Sequence, residues 1–315
     1  MTTADLTAST SSFLIVAGEP EYAEELAGER AADLRLLPTF RKLLAAPQEQ
    51  LGVAVDQLVT RILRLPPPIG VLSLARGGIP IGTLLVRMAA RLGIPAEHGV
   101  LGWVRGETGP LNEDFLPGEC GSLVLVDGWT GTGDSIREVH ERWTGGAMLT
   151  AALSDPAGVC DIAGTNEDVL CPHAMMHSVL NEGLGRVRRH TSGLLVAPRD
   201  DRYADGLLEE YHFGLLEQAR RATSRVRAFS SRLQHEHADR SRSRIGINEC
   251  WRASVRGELG ELVVNPRFRE ELDVALLVDR QRGPVRERDL GALRCACSIR
   301  TAPSPRMAMR SSPHP

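Results

Sequence analysis

Short apolar runs alternate with amphipathic segments along the first part of the chain. Consecutive apolar residues are typical of strands that are covered on both faces, and they predict strands at residues 69–75, 96–104, 123–126 and 148–153. Helices are predicted between these strands, at residues 83–92 and from residue 134 onward, where Ile136, Val139 and Trp143 recur at helical spacing. Strands that alternate with helices predict an α/β fold, with a mostly parallel Rossmann-like sheet and helices on both faces.

The segments around this core have other patterns. Residues 1–12 are rich in Thr, Ser and Ala and are predicted to be disordered. One domain is predicted over residues 13–229, with a helical first part that ends at three prolines, residues 66–68. The end of this domain is predicted to hold a strand at residues 194–197 and a helix at residues 211–229.

The composition changes after residue 229. Residues 230–244 are dense in Arg, Ser and His and are predicted to be a linker. A small α+β module is predicted over residues 245–300, followed by a disordered tail at residues 301–315. The strands predicted in this module lie at residues 262–264, 274–278 and 295–299.

The charge and hydropathy of the chain indicate which class of protein it belongs to. The chain has 315 residues, a formal net charge of −3 and 42% hydrophobic residues, which is typical of a globular protein. No apolar run approaches the roughly 20 residues of a membrane helix, and the polar start lacks the pattern of a signal peptide. We therefore expect a cytoplasmic protein that does not bind a membrane.

The basic residues and the cysteines limit the chemistry further. Lys42 is the only lysine, so any phosphate would be bound by arginine or backbone N–H groups. A general bias toward arginine explains the same composition. The six cysteines contain no C-x-x-C pair and are expected to be reduced structural thiols.

Two glycine-rich turns each connect a predicted strand to a predicted helix. They lie at residues 76–82 and 127–135. Glycine permits the backbone angles of tight turns, and the N–H groups and dipole at the start of a helix favour a phosphate. Ligands of parallel sheets bind beyond the carboxyl ends of the strands. We therefore expect the two turns to form one site, with Asp127 beside the group that carries the phosphate.

These turns resemble the loops of a known family. Residues 124–127 followed by Thr132-Gly133-Asp134-Ser135 resemble the ribose-phosphate loop of type I phosphoribosyltransferases, and Ala75-Arg76-Gly77-Gly78 resembles their pyrophosphate loop. The resemblance implies the type I phosphoribosyltransferase fold, with Asp127 and Arg76 as catalytic residues. It also implies that phosphoribosyl pyrophosphate (PRPP) binds with Mg²⁺ and donates its phosphoribosyl group to an unidentified base. The PRPP-binding residues that it implies are Gly77, Gly78, Gly128, Trp129, Thr130, Gly131, Thr132, Gly133, Asp134 and Ser135.

A wider pattern is similar to one subfamily, the phosphoribosyltransferase-like proteins of tellurium-resistance and stress-response operons. It joins both turns to two later motifs, at residues 155–158 and 164–172, and spans about residues 18–197. This resemblance implies a C-terminal Pelota-like module that binds RNA. It also implies an acceptor side that contains Asp155, Glu167 and Asp168, although Glu167 and Asp168 could equally cap a helix.

Several features depart from the family pattern or compete with it. Gly128 stands where most type I enzymes have a second acid, and Asp134 places a carboxylate near the phosphate unless it caps the helix. Some relatives carry a cysteine-protease label, but no Cys/His pairing visible in the sequence supports it. His173 and His177 are four residues apart, and we interpret them as ordinary packing or surface residues.

Two hypotheses follow. The first is a PRPP-dependent phosphoribosyltransferase, an enzyme of nucleotide metabolism that makes a stress-related ribonucleoside. The second is a non-catalytic regulator that binds PRPP or a nucleotide and presents its C-terminal part to RNA or to a protein. The missing acid at Gly128 favours the second hypothesis. The arginines of residues 230–244 would contact the RNA, although no aromatic residue lies among them.

Overall fold

The fold is described from a computed structural model of the chain. The structure describes residues 15–16, 34–74, 77–101, 119–175, 187–190, 193–196, 202–222 and 243–299. Several predictions lie wholly or mostly outside the described residues: those for Arg76, His177, the two termini and the linker.

The described strands and helices have the following bounds. The strands are β1 (Ile15–Val16), β2 (Ile69–Leu74), β3 (Ala96–Leu101), β4 (Ser122–Trp129), β5 (Met148–Ser154), β6 (Ile162–Thr165), β7 (Val187–His190), β8 (Gly193–Val196), β9 (Ser243–Ile245), β10 (Leu259–Val264), β11 (Val285–Glu287) and β12 (Cys295–Ile299). The α-helices are α1 (Leu37–Ala45), α2 (Glu49–Ile62), α3 (Ile79–Arg91), α4 (Asp134–Arg142), α5 (Arg202–Arg221), α6 (Ile247–Arg256) and α7 (Leu272–Arg280). Single 3₁₀ turns lie at Leu34–Leu36 and Pro266–Phe268.

Five parallel strands form the main sheet, in the order β3-β2-β4-β5-β6. β2 is buried along its whole length, as expected of a strand covered on both faces. Leu125 packs with α4 on one face, and Val124 and Val126 pack with α2 and α3 on the other. The predicted fold class, an α/β protein with a mostly parallel sheet and helices on both faces, is therefore confirmed. β6 was not predicted, because its segment Ile162-Ala163-Gly164-Thr165 has only four residues and is not a run of large apolar residues.

A smaller mixed sheet follows, in the order β11-β10-β12-β9. β10 pairs in parallel with β11 and antiparallel with β12, which pairs antiparallel with β9. This sheet, together with α6 and α7, makes up residues 243–299, which we call the second module. Its core contains Trp251, Leu262 and Cys295, all fully buried. The predicted small α+β module is thus present as a second sheet with its own helices.

Residues 274–278 form part of α7, so the prediction of a strand there is wrong. A short apolar run fits a buried strand and a buried helix equally well. Here Val274 and Leu277, three residues apart, are buried while Leu276 is half-buried. This helical spacing places one face of α7 against the core of the second module.

A small antiparallel sheet, in the order β1-β8-β7, completes the described strands. The strand predicted at residues 194–197 corresponds to β8. Among the described residues, no helix has both the length and the apolar character that crossing a membrane requires.

Candidate functional site

The candidate site lies where β4, the central strand, passes into α4. Gly131 and Gly133 of this turn have φ values of +54° and +78°, which only glycine adopts readily. The N–H of Thr130 donates to the carbonyl of Ser154 at 3.1 Å, and the N–H of Gly133 donates to the carbonyl of Thr130 at 2.7 Å. Two backbone donors of the turn are therefore already used within the fold.

The two glycine turns meet at Asp127. The carboxylate of Asp127 accepts a hydrogen bond of 2.7 Å from the N–H of Gly128. A Cβ placed on Gly77 would collide with this carboxylate, and one on Gly78 would collide with the carbonyl of Val126. The structure thus brings Gly77, Gly78 and Asp127 together, because the turns follow the neighbouring strands β2 and β4.

Burial controls the ionisation of Asp127. It raises the pKa of this carboxyl to about 7, although the hydrogen bond from Gly128 and the nearby Arg252 lower it. Asp127 is therefore protonated in a large fraction of molecules near neutral pH.

Two residues that the sequence analysis did not pair, Cys171 and His173, both lie against Gly128. The thiol of Cys171 donates to the carbonyl of Gly128 at 3.4 Å. A Cβ on Gly128 would lie closer than 3.0 Å to Nε2 of His173. Gly128, which stands where an acid was expected, therefore leaves the space that the imidazole fills. The interpretation of His173 as a packing residue agrees with its complete burial.

His173 is held by aromatic neighbours on two sides. Its Nδ1 lies 2.5 Å from the hydroxyl of Tyr211, with which it shares a hydrogen bond. Its ring centroid lies 5.2 Å from that of Trp129. Burial lowers the pKa of His173 to about 3, although a hydrogen bond with the backbone of Gly77 acts the other way. The imidazole is therefore neutral in this arrangement.

The thiol of Cys171 is protonated in the same arrangement. Burial, together with the nearby carboxylates of Asp127 and Asp168, raises its pKa well above the ordinary value. A neutral thiol and a neutral imidazole therefore both lie against Gly128, the residue that follows Asp127.

The second module covers the turn from the outside. Glu249 of α6 accepts a hydrogen bond of 3.0 Å from Nε1 of Trp129 and one of 2.7 Å from Arg252. The guanidinium of Arg252 lies over the Trp129 ring, 5.8 Å from its centroid. Burial opposes the ionisation of Glu249, but Arg252, Trp129 and Arg244 outweigh it and lower its pKa. A carboxylate therefore faces the turn at which a phosphate was expected.

The second module also contacts the segment that carries Cys171. The side chain of Asn248 accepts from the N–H of Cys171 at 2.7 Å and donates to the carbonyl of Val169 at 2.9 Å. The carboxylate of Asp168 accepts from the N–H of Ile247 at 3.0 Å and from the N–H of Arg294 at 2.9 Å. Asp168 thus caps α6, a helix of the other module.

The remaining predicted residues have local partners. Asp155 is buried and accepts from the hydroxyl of Thr130 at 2.8 Å and from the N–H of Cys160 at 2.9 Å. Asp134 forms an ion pair of 2.8 Å with Arg137, and the N-cap of α4 is Gly133, so Asp134 does not cap this helix. The roles proposed for the other residues of the turn, for Ser135 and for Glu167 in ligand binding stay predictions.

The sequence analysis missed Cys171, Asn248, Glu249 and Arg252. The motif Cys171-Pro172-His173 was visible, but no periodicity indicated that it would return to the end of β4. Within the described residues, no group of three or more His, Cys, Asp or Glu side chains could hold a metal ion.

These features define an α/β protein with a buried cysteine, a buried histidine and a half-buried aspartate at the carboxyl end of its central strand. The model of the family described as tellurite-like stress resistance cysteine protease StiP matches residues 2–194, and the chain belongs to that family. A curated relative, the cysteine protease StiP of Acinetobacter baylyi (strain ATCC 33305 / BD413 / ADP1), is 29% identical over 183 residues, which cover 55% of this chain. The match covers 48% of the relative, so the chain spans about half the length of the curated protein that it matches.

The solved structures with some similarity include phosphoribosyltransferases. One is the HGPRT-ase from Leishmania tarentolae in complex with GMP (16% identity, 38% of this chain, 78% of that chain, TM-score 0.28). Another is the hypoxanthine phosphoribosyltransferase from Trypanosoma cruzi in complex with the product IMP (13% identity, 51% and 92%, TM-score 0.28). TM-scores this low support no inference about function.

The prediction of a PRPP-dependent phosphoribosyltransferase of nucleotide metabolism is wrong. The family and its curated relative are both described as a cysteine protease. The physical reason for the error is that strand–glycine turn–helix units recur in proteins of unrelated function.

Proposed function

We propose that the chain is a cysteine peptidase whose nucleophile is Cys171 and whose general base is His173. The observation that carries this proposal is the placement of both residues against Gly128, at the end of the central strand and beside Asp127. The description of the family supports it. Activated cysteines in proteins are commonly paired with a histidine that a third group orients.

Each residue has a role in this reaction. His173 takes the proton of the Cys171 thiol, and the hydrogen bond between its Nδ1 and the hydroxyl of Tyr211 keeps the ring in place. The thiolate attacks the peptide carbonyl, and His173 returns the proton to the departing amine. Water then cleaves the thioester and releases the second product.

Other cysteines are less suited to this role. Burial raises the pKa of both Cys160 and Cys171, so the pKa does not separate them, and what favours Cys171 is its place with His173 against Gly128. Cys250, Cys295 and Cys297 lie in the core of the second module. Cys120 is half-buried beside Gly70, at the opposite end of β2 from the turns.

The test is hydrolysis of a broad peptide library and of denatured casein under reducing conditions, followed by mass spectrometry. Cys171→Ser and His173→Gln should each lower the rate by about a thousandfold or more, because a serine without its base is a poor nucleophile. The matched control, Cys120→Ser, should keep the wild-type rate. Hydrolysis that survives Cys171→Ser would refute the assignment.

Several expectations from the sequence accompany this proposal as untested predictions. They are a cytoplasmic location, a stress-response or tellurium-resistance operon, a Pelota-like character of the second module, RNA binding by the C-terminal region, and Mg²⁺ binding.

A further inference from the structure

We propose that the second module is an intramolecular cap that holds this site closed, and that an extended peptide must displace it to reach Cys171. The proposal rests on the proposed peptidase function, since it describes how that site is regulated. Cys171 and His173 are both fully buried, so no substrate carbonyl can reach them while the second module is docked.

The contacts of the cap converge on the two segments that form the site. Glu249 and Arg252 contact Trp129 of the turn. Asn248 and Ile247 contact residues 168–171. All four residues lie within the first six positions of α6, so withdrawal of one helix would uncover both segments together.

Asn248 holds the backbone groups that a peptide substrate would use. Its carboxamide accepts from the N–H of Cys171 and donates to the carbonyl of Val169. One residue of an added strand offers the same donor and acceptor to a neighbouring segment. A peptide that pairs with residues 169–171 would bring a carbonyl next to the Cys171 thiol, and it competes directly with Asn248.

A second set of contacts fixes the cap to the main domain at a distance from the thiol. Arg294 donates to the side chain of Gln50 in α2 at 2.8 Å, while Asp273 and Glu271 of its own module hold its other guanidinium nitrogen. Its backbone N–H also donates to Asp168. These contacts keep the second module near the main domain after α6 has been displaced, and the closure is therefore reversible.

The experiment measures the rate at which iodoacetamide alkylates each cysteine of the full-length native protein, mapped by mass spectrometry. Wild-type Cys171 should react far more slowly than half-buried Cys120, the internal reference. Asn248→Ala removes two hydrogen bonds of the cap and should raise the rate at Cys171 by about tenfold. The matched control is Arg286→Ala, which removes the exposed ion pair with Glu261 elsewhere in the same module and should leave the rate unchanged.

Unfolding is distinguished from opening by the buried thiols of the second module. Cys250, Cys295 and Cys297 should stay unlabelled in Asn248→Ala, because the module remains folded while it undocks. If Asn248→Ala unfolds, Glu249→Gln replaces it in the test, because it keeps the size of the side chain and removes its charge. This variant should also raise the alkylation rate at Cys171. Two results would refute the cap. One is a wild-type Cys171 that is alkylated as fast as Cys120, and the other is a Cys171 that is alkylated no faster in either variant than in the wild type.

Peptide hydrolysis by the same variants separates this proposal from the proposed function. If alkylation of Cys171 rises and no peptide is cleaved, the cap stands and the peptidase assignment fails. If the wild type cleaves peptides as fast as both variants, the peptidase assignment stands and the cap is refuted.

Discussion

Replacement of Gly128 by alanine would test the packing on which the candidate site depends. An added Cβ would lie 2.8 Å from the carbonyl oxygen of Gly77 and closer still to Nε2 of His173, whereas ordinary Cβ contacts begin at 3.4 Å. The backbone at Gly77 must therefore move by more than half an ångström. His173 is fully buried and is held by Tyr211, so its ring cannot yield without disturbing the core. Overpacking of this kind costs about 1 to 3 kcal/mol.

Thermal unfolding measures this cost. A loss of about 3 kcal/mol lowers Tm by about 6 to 12 °C for a chain of this size class. The matched control is Gly99→Ala in β3, where the nearest atom to an added Cβ is the flexible end of Leu72 at 3.3 Å. The control should change the free energy of unfolding by less than about 0.5 kcal/mol. Equal Tm values for the two variants would refute the close approach of His173 to Gly128.

Two further variants probe charges at the same site. Burial raises the pKa of Asp127 from 3.8 to about 7, so the folded protein retains a proton that the unfolded chain loses, and this carboxyl lowers stability as the pH rises from about 4 to about 7. Asp127→Asn, which cannot ionise, should become more stable than the wild type by up to about 4 kcal/mol above that window, and urea unfolding between about pH 5 and pH 8 should show the difference growing with pH; a constant difference would contradict it. Glu249→Ala leaves Arg252 and the Trp129 Nε1 without their acceptor and should cost about 2 to 3 kcal/mol in urea unfolding. Glu261→Ala, whose partner Arg286 is 76% exposed, should cost less than about 0.5 kcal/mol, and equal losses would show that Glu249 is no anchor of the second module.

Local patterns were sufficient to predict four of the five strands of the main sheet. β2, β4 and β5 were predicted because each is a run of apolar residues that must be covered on both faces, and the glycine turns followed from their position after such runs. Residues 274–278 were assigned wrongly, because five apolar residues do not distinguish a strand from a helix. Only the packing of Val274 and Leu277 into one core decided for the helix.

The functional prediction failed for a related reason. A glycine turn after a buried strand creates donors and space, but it does not determine what fills them. At Gly128 the space is filled by His173, and outside Trp129 the surface is covered by Glu249. Both partners come from distant parts of the chain.

The sequence by itself determined most strands of the main sheet, the positions of the two turns and the presence of a small C-terminal α+β module, because each depends on residues that are close together in the chain. Only the tertiary structure decided that Cys171 and His173 meet at Gly128 and that Asn248, 77 residues away, holds the backbone of Cys171. Such contacts arise from the packing of whole elements. The spacing of residues along the chain does not predict which distant segment will lie over the end of a strand.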